Sequence, residues 1–244
     1  MTVTALNASD HDVTAAVQLA SARTGVDFDY LYTQAKVESG LRPDAAAATS
    51  SARGLYQFTS ATWLDTVGRH GSAHGLAWAA DAVTSGEATR DPAIRAAVLA
   101  LRGDPQASAL MAGAFAADNA AKLEAGLGRP ANATALYLAH FLGAAGAVRF
   151  IQAMDAAPDT AAAAIMPAAA AANRDVFFAA DGRPRSLAAV YDRFAARFGR
   201  NIVPAPGTEL PVRANPWSPP AAASLVPAPQ AARLAYLLLA ELGA

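Results

Sequence analysis

The chain contains no cysteine and has no excess of charge of either sign. The first absence excludes disulfides and thiolate metal sites. Lys and Arg number 19 against 20 Asp and Glu, which leaves a formal net charge of −1 at pH 7. Because no basic excess is available to neutralise phosphates, nucleic acid is not an expected partner. The histidines show no metal-ligand spacing, so we predict neither a metal nor any other cofactor.

Long apolar runs are missing as well. No segment is apolar over enough residues to span a bilayer, so no transmembrane segment is predicted. Residues 1–10 carry no basic residue and no apolar run, and they are not expected to form a secretory signal peptide. If the protein acts outside the cytoplasm, we expect export by another route or a leader that this sequence lacks.

Aromatic residues make up only 7% of a chain that is 54% hydrophobic. Much of the apolar content is alanine, which favours helix strongly. That content is too high for a disordered chain and predicts a sizeable core. We therefore predict an all-α or nearly all-α fold, with the few aromatic side chains concentrated in the core or in a binding site.

Composition divides the chain into three parts. We predict one helical domain over residues 1–200, a Pro- and Ala-rich linker over 201–229 and an amphipathic helix over 230–244. The C-terminal helix is predicted to dock on the domain, with a partner protein or a lipid surface as the alternative. Within the domain, caps and breakers predict helices over about 12–24, 29–39, 60–67, 105–127, 144–154 and 187–198, with others starting at Asp91 and after Asn132.

Glu38 is the residue that best suits catalysis, since it ends the second predicted helix and the aromatic segment 54–58 follows shortly after. A carboxylic acid can protonate a glycosidic oxygen only while it keeps its proton at the working pH. This requires a pKa raised from about 4.3 towards roughly 6–7, and burial among apolar groups has that effect. The predicted walls of such a pocket are Val37, Leu41, Tyr56 and Phe58.

The order of features between Glu38 and Trp63 is specific. Glu38-Ser39 is followed by the hydroxyl-rich run Thr49-Ser50-Ser51, then by Gly54-Leu55-Tyr56-Gln57-Phe58, and then by Thr59 or Ser60 as the cap of the next predicted helix. This order resembles the signature of the SLT-type lytic transglycosylases, enzymes with a lysozyme-like fold that cut the glycan strands of peptidoglycan. A Tyr replaces the Met common before the Gln, and the usual Pro before the Thr is missing.

A second segment extends the resemblance. The family usually has a Tyr in an Ala-Tyr-Asn-Ala-Gly segment aimed at the catalytic Glu, and the counterpart here is the variant Leu136-Tyr137-Leu138-Ala139-His140-Phe141-Leu142-Gly143. By this resemblance Tyr137 orients the Glu38 carboxyl and Phe141 stacks on a sugar ring. The alternative is an ordinary core helix with both rings inside. His140 is predicted to be a hydrogen-bonded structural residue rather than a catalyst. Residues 71–128 separate the two segments and have no assigned role beyond shaping one wall of a cleft.

The resemblance implies that one carboxylic acid acts twice. Glu38 would protonate the β-1,4 bond between N-acetylmuramic acid and N-acetylglucosamine, and would then take the proton of the muramoyl 6-hydroxyl as a 1,6-anhydro ring closes. Gln57 and Ser50 would hold acetamido or hydroxyl groups of the glycan. The expected partner is the peptidoglycan strand, and the expected location is the periplasm or cell envelope. The implied substrate-binding residues are Ser39, Ser50, Tyr56, Gln57, Phe58, Tyr137 and Phe141.

Two alternatives stay open at this point. A muramidase of the same fold would use water as the nucleophile and would be supported by a second carboxylate in the cleft. Asp44 and Asp65 are the nearest in sequence, and both suit exposed positions. A glycan-binding or assembly protein of a secretion apparatus or phage particle would keep the fold without turnover. An intact Glu38 argues against this second alternative, because a binder does not need the acid.

Overall fold

A computed structural model describes residues 8–198 of the chain. Across this range the backbone forms helices and isolated bridges but no strand, so the predicted all-α fold is confirmed. Two short 3-10 helices, Ser72–His74 and Leu101–Gly103, link longer elements. The 13 α-helices of the range are α1 (Ala8–Thr24), α2 (Phe28–Ser39), α3 (Ser60–His70), α4 (Ala77–Thr84), α5 (Glu87–Arg90), α6 (Pro92–Ala100), α7 (Pro105–Leu127), α8 (Ala133–Leu142), α9 (Ala144–Ala156), α10 (Ala162–Ile165), α11 (Pro167–Ala172), α12 (Arg174–Phe177) and α13 (Leu187–Phe198).

Local capping chemistry explains where the helices near the site begin. Thr59 precedes α3, and its hydroxyl oxygen accepts a hydrogen bond from the Thr62 N–H at 3.2 Å. At the start of α7, Asp104 accepts from the Ala107 N–H at 2.7 Å, and Pro105 occupies the first turn. Such signals act over three or four residues, so the sequence alone was enough to predict these starts.

Helix α7 is the centre of the domain. It packs against α1, α2, α3, α8 and α9. Residues 107–114 are all buried, so the helix is covered on every side rather than along one stripe. Most of these residues are small, which allows close approach. A Cβ at Gly113 would lie 2.6 Å from Thr24 Oγ1 of α1. Because α2 and α8 both contact α7, this helix also brings together the two halves of the motif.

Three parts of the chain differ from the sequence predictions or lie beyond them. Residues 71–90, for which no helix was predicted, contain α4 and α5. The segment after α9 contains three short helices, α10 to α12, which were not predicted because the segment has no strong hydrophobic periodicity. The predicted linker, the C-terminal helix and the domain boundary at residue 200 lie outside the described residues. None of the described helices is both long and apolar enough to cross a membrane.

Candidate active site

Glu38 lies one residue before the end of α2, and its side chain is only 1% exposed. The helix ends there because Gly40 takes a left-handed conformation, with φ 61°, and its N–H closes on the carbonyl oxygens of Ala35 and Lys36. The C-terminal end of a helix carries a partial negative charge. Glu38 is therefore a buried carboxyl group placed at the negative end of a helix.

Glu38 meets His140, which comes from α8. The distance between His140 Nε2 and Glu38 Oε1 is 3.1 Å. The contact does not have the alignment of a regular hydrogen bond, and among the described residues neither carboxyl oxygen has an aligned donor. His140 keeps 19% of its side chain exposed. The contact therefore joins a buried acid to an imidazole that reaches solvent.

The sequence predicted only a structural role for His140 and missed this contact. A signal was nevertheless present, because His140 lies three residues after Tyr137 on the same helix. Residues at that spacing share a helix face. A helix face predicted to approach Glu38 through Tyr137 therefore carries His140 towards it as well.

Ser39 ties the end of α2 to the loop that carries the aromatic segment. Its hydroxyl lies 2.8 Å from the carbonyl oxygen of Leu55 and 3.0 Å from that of Ala35, and it accepts a hydrogen bond from the Arg42 N–H at 3.1 Å. The residue is 3% exposed. Ser39 was predicted to bind substrate, whereas the structure places its hydroxyl on backbone groups that fix the loop beside Glu38.

Gln57 closes the same loop on itself. Its backbone has φ 47°, a left-handed conformation that is uncommon for a residue with a side chain. The amide nitrogen donates to the carbonyl oxygens of Gly54 at 2.9 Å and Ala45 at 3.1 Å. Both N–H groups of the amide are thus used within the loop. The role predicted for Gln57, holding a group of the glycan, would need these bonds to open.

A small cavity of about 10 Å³ lies beside His140. Its volume is close to what one water molecule requires. Gln34 Oε1 and the Tyr56 hydroxyl are buried in its walls, and neither has a hydrogen-bond partner among the described residues. Tyr56 and Phe58, two of the four residues predicted to wall a pocket around Glu38, line this cavity, whereas Glu38, Val37 and Leu41 do not. The other walls of the cavity include Tyr30, Phe115 and Asn119.

The tyrosines around Glu38 stay neutral. Burial raises the pKa of Tyr30 far above its ordinary value, and the charge of Glu38 and then that of Tyr56 add to the effect. Burial likewise raises the pKa of Tyr56. These three side chains therefore share one electrostatic neighbourhood. The two tyrosine hydroxyls keep their protons and can act as hydrogen-bond donors there.

Tyr137 and Phe141 both belong to the buried face of α8. Tyr137 is fully buried, and its ring stacks on that of His140 with centroids 5.8 Å apart and planes 15° apart. The same ring contacts Phe198 of α13 at 4.4 Å. Phe141 is 1% exposed and its ring lies 5.1 Å from that of Phe194. Tyr137 therefore supports His140, whereas Phe141 faces the core and has no exposed ring face for a sugar in this structure.

Ser50 stands apart from this group. It is exposed, and its hydroxyl accepts a hydrogen bond from the Ala52 N–H at 3.3 Å within a local turn. Asp44 and Asp65 are exposed as well. No Asp or Glu is among the residues that line the cavity, and the described part of the chain has no group of three or more His, Cys, Asp or Glu that could hold a metal ion.

Arg102 gives part of the 71–128 segment a structural role that the sequence did not reveal. The residue is 5% exposed and lies in the 3-10 helix before α7. Its guanidinium donates to the carbonyl oxygens of Ser51 at 2.5 Å, Phe58 at 3.0 Å and Leu99 at 3.0 Å. Arg102 thereby holds both ends of the loop segment that carries the aromatic walls. Long-range contacts of this kind leave no local sequence pattern.

A comparison of the chain with models of known protein families finds no match. The features of the chain that bear on function are therefore those of the site itself: the Glu38–His140 contact, the loop with Tyr56 and Phe58, and the buried face of α8.

Proposed function

We propose that this protein is a peptidoglycan lytic transglycosylase in which Glu38 acts first as general acid and then as general base. The observation that carries the proposal is a single carboxyl group, 1% exposed, held at the end of α2 against the imidazole of His140, which itself lines a small cavity with aromatic walls. Sugar rings present apolar faces that pack well on aromatic side chains, and a protected acid is what cleavage of a glycosidic bond requires.

The proposed reaction uses this one carboxyl group in two steps. In the first, Glu38 transfers its proton to the oxygen that joins N-acetylmuramic acid to N-acetylglucosamine, and the bond from that oxygen to the anomeric carbon breaks. In the second, the muramoyl 6-oxygen bonds to the anomeric carbon and its proton passes to the Glu38 carboxylate. The 1,6-anhydro ring forms, the proton returns to Glu38, and no water is consumed.

The carboxylates of the described residues favour this reaction over hydrolysis. Hydrolytic glycosidases usually have a pair of carboxyl groups, one on each side of the bond they cut. Here no carboxylate lines the described cavity, Glu38 is linked to it through His140, and Asp44 and Asp65 lie exposed on the surface. A mechanism with an internal hydroxyl as nucleophile needs only the acid that is present.

The size of the cavity adds a requirement to the proposal. A space of about 10 Å³ admits about one water molecule and no sugar ring. Glycan binding must therefore separate the loop that carries Tyr56 and Phe58 from the wall formed by Phe115 and His140. Opening and closing of such walls is common in enzymes that exclude water from the reacting bond.

The proposal is tested by digesting purified sacculi and identifying the released muropeptides by mass spectrometry. The proteins compared are the native chain, Glu38→Gln and the control Asp44→Asn, whose side chain is exposed. We expect anhydromuramoyl ends from the native chain and the control, and at least a 10²-fold slower release from Glu38→Gln. Urea unfolding establishes that all three proteins are folded.

Other outcomes assign other functions. Reducing muramic ends would identify a hydrolase. Binding to sacculi without release by any of the three proteins would favour a glycan-binding or assembly protein.

A further inference from the structure

We infer that His140 is a positioning residue for Glu38: it holds the buried carboxyl in place and shares its proton in both steps of the reaction. This inference deepens the proposed function and depends on it for the chemical step. The contact itself, between His140 Nε2 and Glu38 Oε1 at 3.1 Å, is a property of the fold.

The imidazole is held more firmly than an exposed histidine would be. Its ring lies nearly parallel to the Tyr137 ring, with centroids 5.8 Å apart, and the Phe115 ring meets it edge-on at 6.4 Å and 82°. Tyr137 is itself fixed by Phe194 and Phe198 of α13. Aromatic contacts on two sides restrict rotation of the ring, so Nε2 stays close to the Glu38 carboxyl.

An imidazole suits both states of the acid. When Glu38 carries its proton, the carboxyl O–H can donate to Nε2 of the Nδ1–H tautomer; when Glu38 is a carboxylate, the Nε2–H of the other tautomer can donate to it. The change of tautomer takes up one proton from solvent at Nε2 and releases one to solvent from Nδ1. The other titratable side chains around the pair are Tyr30, Tyr56 and Tyr137. Burial raises the pKa of Tyr30 and Tyr56, so neither exchanges a proton at neutral pH. Among the titratable groups of this neighbourhood, Glu38 and His140 are the pair joined by a direct contact.

The two partners differ in access to water. The Glu38 side chain is 1% exposed, whereas that of His140 is 19% exposed. His140 is thus the member of the pair through which the buried carboxyl exchanges its proton with solvent before a glycan covers the site. A phenylalanine at this position would keep the aromatic contacts but would lose both the contact to the carboxyl and this exchange.

Two substitutions separate positioning from packing. His140→Phe keeps a ring on Tyr137 and removes the nitrogen, whereas His140→Gln places an amide near Nε2 that can both donate and accept a hydrogen bond. His74→Gln, in the 3-10 helix after α3, is the control. On sacculi we expect His140→Phe to lower kcat about 10²-fold with little change in KM, and His140→Gln to recover about 10-fold of that loss.

Two outcomes would show that His140 acts only through packing. Equal activity of His140→Phe and the native protein would overturn the inference. So would equal losses in the two His140 variants, since both lack the imidazole but only one keeps a polar partner for Glu38. Urea unfolding of each variant shows whether a loss of kcat follows from a loss of fold.

A second measurement does not depend on activity. The ¹⁵N chemical shifts of the His140 ring report which nitrogen carries hydrogen, and they are recorded for the native protein and Glu38→Gln at matched pH. We expect different Nε2 shifts in the two proteins. Identical shifts across the pH range would refute the inference, even if sacculi are cleaved. Different shifts in a protein that never cleaves sacculi would uphold the proton coupling and reject the proposed function.

Discussion

The backbone of Gly54 lies directly against the carbonyl group of Arg102. A Cβ atom at residue 54 would lie 1.8 Å from the Arg102 carbonyl oxygen, and the φ of Gly54 is +82°. The glycine of the loop therefore meets two demands, a left-handed backbone and the absence of a side chain. Because Arg102 comes from the segment between the two halves of the motif, this segment and the loop are fitted to each other.

The close approach predicts that Gly54→Ala destabilises the folded protein much more than the same change at Gly25 does. Gly25 also has a positive φ, of +74°, but a Cβ there would meet nothing within 4 Å. The backbone cost of about 1–2 kcal/mol is common to both. Gly54→Ala should lose a further ~1–3 kcal/mol because the Arg102 carbonyl must move. Urea unfolding measures the stability of both variants. Equal losses of stability would show that the backbone at residue 102 moves without a free-energy cost.

Arg102 itself should matter more than the neighbouring Arg53. Arg102→Met leaves the carbonyl oxygens of Ser51 and Phe58 without their charged donor, and we expect a loss of about 2–3 kcal/mol in the free energy of unfolding. Burial lowers the pKa of Arg102, and the charge of Arg53 adds to this effect. Arg53→Met removes that repulsion from an exposed position and should change stability by no more than about 0.5 kcal/mol.

The Arg102 comparison also has an enzymatic readout. If the guanidinium holds the loop that carries Tyr56 and Phe58, Arg102→Met should slow the release of muropeptides at temperatures where the protein is still folded. Unchanged stability in Arg102→Met, measured by urea unfolding beside Arg53→Met, would mean that water replaces the guanidinium at both carbonyl groups.

The helices near the site were predictable because their signals are local. Thr59 and Asn132 are caps whose side chains accept hydrogen bonds from N–H groups three residues later, and Gly40 ends α2 with a left-handed backbone. Such interactions are formed within one turn of chain, so the sequence contains all that is needed to place them.

The arrangement of the site was less predictable because it depends on which helix faces meet. Phe141 faces Phe194 because α13 covers that side of α8, and the sequence does not state where α13 docks. The same holds for His140, whose partner Glu38 is about a hundred residues away in the chain. Gln57 was predicted to face a ligand, but its amide satisfies carbonyl groups of its own loop, an outcome that only the three-dimensional path of the loop determines.

The Tyr56 hydroxyl is buried without a hydrogen-bond partner among the described residues, which predicts an unusual response to its removal. Tyr56→Phe should leave stability unchanged or raise it by up to about 1 kcal/mol, because no bond is lost and an unsatisfied group disappears. If the hydroxyl serves the glycan, kcat/KM on sacculi should fall about 10-fold, which corresponds to about 1.4 kcal/mol.

Tyr32→Phe is the matched control for Tyr56→Phe. Tyr32 lies on the same helix as Glu38, is half-buried and stacks on Phe28 at 5.6 Å. Tyr32→Phe should leave the rate of sacculus cleavage unchanged. It should change the free energy of unfolding by no more than about 0.5 kcal/mol. A clear loss of stability in Tyr56→Phe, measured by urea unfolding, would contradict the assignment because it would mean that the hydroxyl makes a bond in the folded protein.

Asp118 of α7 contacts Arg69 and His70 of α3 and should make stability depend on pH in the acid range. His70 Nε2 lies 2.9 Å from Asp118 Oδ2, and Arg69 contacts the same oxygen. Burial alone would raise the pKa of Asp118. The hydrogen bond from His70, followed by the charges of His70 and Arg69, outweighs burial and holds the pKa below its ordinary value of 3.8.

The direction of the pH effect follows from this lowered pKa. The unfolded chain takes up the proton at a higher pH than the folded protein, so the stabilisation is complete well above 3.8 and is lost as the pH falls through the lowered value. Asp118→Asn should therefore be less stable than the native protein by about 0.5–1 kcal/mol at pH 7, with a difference that shrinks below pH ~4.

Asp65→Asn should show a smaller difference, since Asp65 is 63% exposed and pairs with Arg69. Urea unfolding at pH values from neutral to acid measures both. A difference for Asp118→Asn that stayed constant with pH would show that the amide disturbs packing and that the charge of Asp118 contributes nothing.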